Sequence, residues 1–285
     1  MKRLINPMVD CVFKGLFGVQ EHVDLLAHFL NSLLEPPDPL VDLILDNPIV
    51  PAQSSKDDHR VVDVLARDRA GRAYQIEVQL YLHACLRERA LYTWADLYQT
   101  QMQSGSRFHE LRPVISIWIL DQNLLRGLPH WHNRFHVREA RSGQRLTDHL
   151  EIHTLELRKL ALQSDEGLDA ATRWAYFLKE ARHWDALPDP LRTPELRKAM
   201  SILDQWKEKD ADYRAYRARM NALRVQATFE EEQRRLEAER ERLLADNAQL
   251  AADKQRLAGD NAQLEAEIAR LRALLATPTQ GPEGR

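Results

Sequence analysis

Six leucines stand seven residues apart near the end of the chain: Leu236, Leu243, Leu250, Leu257, Leu264 and Leu271. A strict seven-residue apolar repeat is the mark of a coiled-coil seam, a long helix that shows a single stripe to a partner helix; the alternative is a solvated single helix rich in salt links. Between Glu230 and Leu275 there is no proline and only one glycine, so nothing breaks that helix. With the leucines at the d positions, Arg240, Asn247, Lys254, Asn261, Ile268 and Leu275 fall at a. Polar a residues weaken such a seam but fix its register, because Asn bonds its counterpart across a two-fold axis. The segment Asp246-Asn247-Ala248-Gln249-Leu250 returns fourteen residues later as Asp260-Asn261-Ala262-Gln263-Leu264, a repeat of two heptads. Residues 224–276 therefore predict a parallel homodimer, paired through the six leucines with Asn247 and Asn261 in the seam. The acidic run Phe229-Glu230-Glu231-Glu232 precedes it, where a basic-zipper factor needs basic residues to grip DNA.

The rest of the 285-residue chain has enough apolar sequence for a core: 44% of residues are hydrophobic and 29% charged. The formal net charge of −3 excludes a protein that coats DNA passively, so any nucleic-acid contact must rest on a local patch. Two cysteines, Cys11 and Cys85, supply no disulfide framework. No stretch approaches the roughly 18–20 apolar residues of a membrane span. Asp10 and Lys14 interrupt the N-terminus before it can form the apolar core of a signal peptide. The expectation is a bacterial-type cytoplasmic protein without membrane contact.

Along the front of the chain, Glu21–Leu34 has the apolar spacing of an amphipathic helix and ends at Pro36-Pro37. Strands are predicted over Val41–Leu45, Val61–Ala66 and Ala73–Leu80, then a long helix over Ala84–Ser104 that stops at Gly105. Val114–Leu120 is apolar almost throughout, as a central strand covered on both faces must be. Weaker strands over Phe135–Glu139 and Leu150–Leu155 precede helices over Asp169–Arg182 and Pro194–Lys207. The order gives an α/β layer with one hairpin and one crossover helix. The chain divides into a core over residues 1–160, a helical extension over 161–223, the leucine-heptad coiled coil over 224–276, and a breaker-rich tail over 277–285.

The hairpin turns at Asp68-Arg69-Ala70-Gly71-Arg72. Centred on Ala70, antiparallel pairing sets opposite each other residues whose numbers sum to 140, which brings Asp63 to face Glu77. Val62, Val64, Ile76 and Val78 then line the other side and enter the core. Directly opposed side chains have Cβ atoms roughly 4.5–5.5 Å apart, and two carboxylates at that distance repel unless a cation lies between them. A hard divalent ion is the natural remedy, and Mg²⁺ binds through one or two carboxylates while keeping several waters; the alternative is an exposed hairpin whose ordinary surface acids are held apart by flexible side chains. Gln79 points to the same face; its amide can orient a water but carries no charge.

These residues stand in a specific order. Asp10-Cys11-Val12-Phe13-Lys14-Gly15-Leu16-Phe17-Gly18 opens the chain, followed by the Leu26…Phe29-Leu30-Asn31 helix. Val62-Asp63-Val64 and Ile76-Glu77-Val78-Gln79 come next, then Arg89 and Tyr92 on a helix and Pro113-Val114-Ile115-Ser116-Ile117 on a strand. In that order the chain resembles the PD-(D/E)XK nuclease family transposases, the Rpn-type recombination-promoting nucleases, over residues 4 to 160. The resemblance implies a restriction-endonuclease-like αβββαβ core with a mixed sheet, and a Mg²⁺-dependent DNA endonuclease. It makes Asp63 and Glu77 the metal-binding acids of the second and third core strands. Gln79 stands where the wider superfamily has lysine. Asp10 matches the acid of the first helix, a ligand to metal or water, and Lys14, one turn on, is placed to supply the missing cation. Arg89, Tyr92 and Gln99 lie with Asp96 on one face of the long helix and match residues that touch the DNA backbone. The implied reaction is metal-assisted hydrolysis of a phosphodiester to a 3′-hydroxyl and a 5′-phosphate, with Glu77, Gln79 or the ion orienting the attacking water.

Other clusters offer less. His130-Trp131-His132 with His136 lacks a neighbouring cysteine and predicts no zinc site. No phosphate-cradling glycine loop and no serine elbow is present. Two readings follow: an active nuclease whose zipper pairs two catalytic heads, or a nuclease fold without turnover whose coiled coil is its working part.

Overall fold

Two helices open the structure, α1 (Asp10–Phe17) and α2 (Val23–Leu34), and strands β1 (Ile44–Leu45), β2 (Val64–Arg67) and β3 (Ala73–Gln79) follow. Helix α3 (Leu86–Gln99) leads to β4 (Val114–Leu120), β5 (His132–His136) and β6 (Leu150–Glu156), and then come α4 (Ala170–Glu180), α5 (Pro194–Glu208) and α6 (Asp210–Ala276). The computed structural model describes residues 3–46, 63–161 and 168–276. The expected strand start at Val61-Val62 and the tail over 277–285 lie outside the described residues. The chain separates into two units, Met1–Arg224 and Val225–Arg285.

In the first unit the six strands form one mixed sheet in the order β1-β2-β3-β4-β6-β5. The pairs β1/β2, β2/β3 and β5/β6 are antiparallel, and β4 runs parallel to both β3 and β6. The hairpin register is fixed by its turn. Asp68 Oδ1 accepts from the backbone N–H groups of Ala70 (2.9 Å) and Arg72 (3.0 Å), and Oδ2 accepts from Arg72 Nε (2.6 Å) and the Tyr74 hydroxyl (2.9 Å). Gly71 adopts φ +80°, a left-handed conformation that glycine enters without steric cost. Val64 consequently pairs with Ile76 and Leu65 with Gln75, the register expected from the sequence.

All seven residues of β4 are buried, because helices cover both faces of the sheet. One face, with Val64, Ile76, Val78, Ile115, Ile117 and Ile119, joins the main core under α1, α2, α4 and α5. Trp174 of α4 sits in this core against Phe17 (ring centroids 5.4 Å apart) and Phe29 (5.9 Å). Gly15 lets α1 close on α5, since a Cβ there would lie only 2.9 Å from Trp206 Cζ2. On the other face α3 covers two smaller clusters. Leu65, Ala73 and Val114 meet Trp94, Leu97 and Tyr98, while Trp118 and Leu120 meet Leu86 and Ala90.

Three elements differ from expectation for local reasons. The first strand shrinks to Ile44–Leu45, because Asp42 takes φ 52°, a left-handed backbone that no strand contains. Helix α3 ends at Gln99, five residues early, where Gln101 turns to bond both the N–H (2.8 Å) and the carbonyl (3.0 Å) of Arg112. Strand β5 lies three residues before its expected place, held to β6 by His132–His153 and Arg134–Glu151 side-chain bonds.

In the second unit the described residues continue α6 without a break. The six heptad leucines lie on it between 51% and 66% exposed in the single chain.

Candidate functional site

Alternation along β3 places Ala73, Gln75, Glu77 and Gln79 toward α3, and along β4 it places Ser116 and Trp118 beside them. A polar row thus runs between the two apolar clusters under α3. Its bonds point one way: the Trp118 indole N–H donates to Ser116 Oγ (2.9 Å), the Ser116 hydroxyl to Gln75 Oε1 (3.0 Å), and the Gln75 amide to Glu77 Oε1 (3.3 Å). The chain of donors ends on the Glu77 carboxylate and orients it. Glu77 is 3% exposed.

Asp63 precedes β2 and belongs opposite Glu77 in the hairpin register. Its Oδ2 accepts the Val78 backbone N–H at 2.9 Å, which pins the carboxylate at the end of the ladder. Its Oδ1 lies 3.5 Å from Lys14 Nζ on α1. Asp10, one turn before Lys14, is bound by Arg219 of α6: Arg219 Nη2 lies 2.6 Å from Asp10 Oδ2. On α3, Arg89 is half-buried with its guanidinium carbon 5.7 Å from the centre of the Trp118 ring, and its buried Nε has no hydrogen-bond partner.

The two facing acids are electrostatically uncomfortable. Burial pushes Asp63 above the ordinary carboxylate range and the Asp10 charge adds to it, against the pull of the Val78 N–H and Lys14. Burial and the Asp63 charge push Glu77 up to about 8, with Arg89, the Gln75 amide and Lys14 pulling the other way. The surrounding cations do not fully offset the pair. Hard oxygen donors, buried and short of positive charge, suit a divalent ion of the Mg²⁺ type. Among the described residues no group of three or more His, Cys, Asp or Glu side chains is arranged to hold an ion, so waters must complete any coordination at the pair.

The structure therefore brings together Asp63, Glu77, Lys14, Asp10 and Arg89. Gln79, partly exposed, ends β3 beside them, and its carbonyl accepts the Asp121 N–H at 2.9 Å. Tyr92 and Gln99 are not drawn in: Tyr92 is 63% exposed, and exposed Gln99 bonds Asp96 at 3.1 Å. Sequence reasoning missed three participants. Gln75 and Ser116 were legible in the period-two alternation that placed Glu77, whereas Arg219 carries no local signal.

The histidines at the far edge of the sheet form a separate, half-buried network around buried His153. Burial raises Glu151, but His153 and Arg134 outweigh it and hold the carboxylate at about 2. The ionised Glu151 accepts from His153 Nε2 (2.8 Å), which leaves His153 Nδ1 to accept from His132 Nε2 (2.8 Å). His136 faces Arg145. This network ties β5 to β6 and uses the histidines as structural polar groups.

A family model described as PD-(D/E)XK nuclease family transposase matches residues 7–233. No curated protein and no solved structure matches the chain.

Proposed function

We propose a Mg²⁺-dependent DNA endonuclease, on the premise that the chain belongs to the PD-(D/E)XK nuclease family transposases. The observation that carries the reading is the buried Asp63–Glu77 pair, pinned by the Val78 N–H and the Gln75 amide and short of positive charge. Asp63 and Glu77 are the residues that hold the ion. When bound, Mg²⁺ lowers the pKa of a coordinated water and polarises the scissile phosphate. Lys14 and Arg89 flank the acids and offset charge on the phosphate, which answers the absence of lysine at Gln79. The Gln79 amide and the free lone pairs of Glu77 orient the attacking water. Tyr92 and Gln99, exposed on α3, contact the DNA backbone beyond the cleavage point. The test is nicking of supercoiled plasmid by the full chain. Cleavage is expected with Mg²⁺ and not with EDTA, and Asp63→Ala should lower the rate by about 10³-fold or more, since a lost ligand removes several kcal/mol of charge stabilisation. Full activity of that variant removes the assignment.

The leucine stripe supports homodimer formation as a parallel coiled coil over 224–276. Each of its six leucines is at least 51% exposed in one chain, an apolar seam that a second copy would cover. Pairing delivers two sites to one duplex. Leu250→Lys with Leu257→Lys is expected to convert a dimer into a monomer in sedimentation equilibrium, and a wild-type chain that sediments as a monomer ends the proposal.

A further inference from the structure

Arg219 stands out because it comes from the C-terminal helix and yet reaches the acid cluster. Its Nε lies 3.0 Å from Asp10 Oδ1 and 2.8 Å from Oδ2, and its Nη2 lies 2.6 Å from Oδ2. The same carboxylate also accepts the Cys11 backbone N–H at 2.8 Å, so its lone pairs are largely occupied. The start of α6, itself part of the first unit, is fastened to the N-terminal residues around this pair. Arg3 lies 4.7 Å from the centre of the Tyr213 ring and also pairs with Asp210, and the Tyr216 hydroxyl accepts the Asn6 N–H at 3.3 Å. Asp10 and Arg219 both lie within electrostatic reach of Asp63.

We infer that Arg219 is a positioning residue that withholds Asp10 from the metal centre and so sets the affinity of the site for its ion. The inference rests on the reading of Asp63 and Glu77 as a divalent-ion site. A guanidinium and a divalent cation compete for the same carboxylate lone pairs and repel each other at close range. While Arg219 holds Asp10, two carboxylates face the ion; once Asp10 is released, a third is available from the adjacent turn of α1. Affinity of oxygen-ligated cation sites rises with the number of ligand charges.

Calorimetric titration of the full chain with MgCl₂ tests this without DNA. Arg219→Gln is expected to lower the Kd for Mg²⁺ about tenfold, as the release of one carboxylate ligand should. In an Asp10→Asn background the same substitution is expected to change Kd by less than about threefold, because no carboxylate is left to release. Arg219→Lys, which keeps the charge and loses the two-pronged geometry, should fall between wild type and Arg219→Gln. It also serves where the glutamine variant folds poorly. An unchanged or weaker affinity in Arg219→Gln, with wild-type binding intact and dependent on Asp63, overturns the inference alone. If wild type binds no Mg²⁺, the metal-site reading falls and the inference with it.

Discussion

Glu77→Gln is expected to make the metal-free protein more stable at pH 8.5 by about 4 kcal/mol, and in the same molecule to abolish Mg²⁺-dependent nicking. The sign follows from linkage. Burial, with Asp63 opposite, raises the Glu77 carboxyl to about 8 from its ordinary 4.5. The folded protein therefore holds this proton more tightly than the unfolded chain does. Its contribution to stability is whole below about pH 4.5 and is lost as pH rises through 8. Glutamine keeps the shape and never ionises, so it escapes that loss. At pH 5 the advantage should shrink to about 1 kcal/mol, because little of the loss has yet occurred. Urea unfolding in EDTA at the two pH values measures both numbers. A gain that does not change with pH, or no gain at pH 8.5, shows that Glu77 is not a strained buried acid. Strain of this kind is expected where function and stability conflict. An ion between the acids relieves it, so added Mg²⁺ should stabilise wild type at pH 8.5 and leave Glu77→Gln unmoved.

Trp174→Ala is expected to cost about 3–5 kcal/mol, enough to unfold much of a marginally stable domain. Trp174 is 1% exposed. It packs on Phe17, Phe29 and Phe177, and its indole N–H bonds His28 Nδ1 at 2.9 Å. Its loss leaves a cavity behind α1, the helix that carries Asp10 and Lys14. A shallower midpoint in urea is the primary readout. Trp174→Phe, which keeps most of the ring area and drops one hydrogen bond, should cost less than half as much. A Trp174→Ala protein as stable as wild type would mean that α4 is dispensable to the core.

How far the sequence discloses this molecule depends on the range of the interactions involved. The hairpin register is legible because it is local: Asp68 and Gly71 build the turn within five residues, and the turn brings Asp63 and Glu77 to opposed positions. The run of β4, apolar but for Ser116, announces a central strand for the same reason. Burial of the acids is less legible, since it depends on α3 lying over that face of the sheet and on the Gln75–Ser116–Trp118 row beneath it. The polar face of α3 also splits in a way that spacing alone does not show. Arg89 turns inward onto Trp118, while Tyr92 stays in solvent. Arg219 is the least legible of all, because nothing near it in the chain indicates that its partner is Asp10.

The edge of the sheet at β1 bears on how copies of this chain avoid sticking to each other. An exposed strand edge is a template on which another strand can assemble. Among the described residues that edge offers Ile44 and Leu45, flanked by ion pairs of Arg67 with Asp46 (2.7 Å) and of Arg69 with Asp42. A border so short and so charged gives an incoming strand little to add to. Uncontrolled growth by β-addition is thereby discouraged at this side.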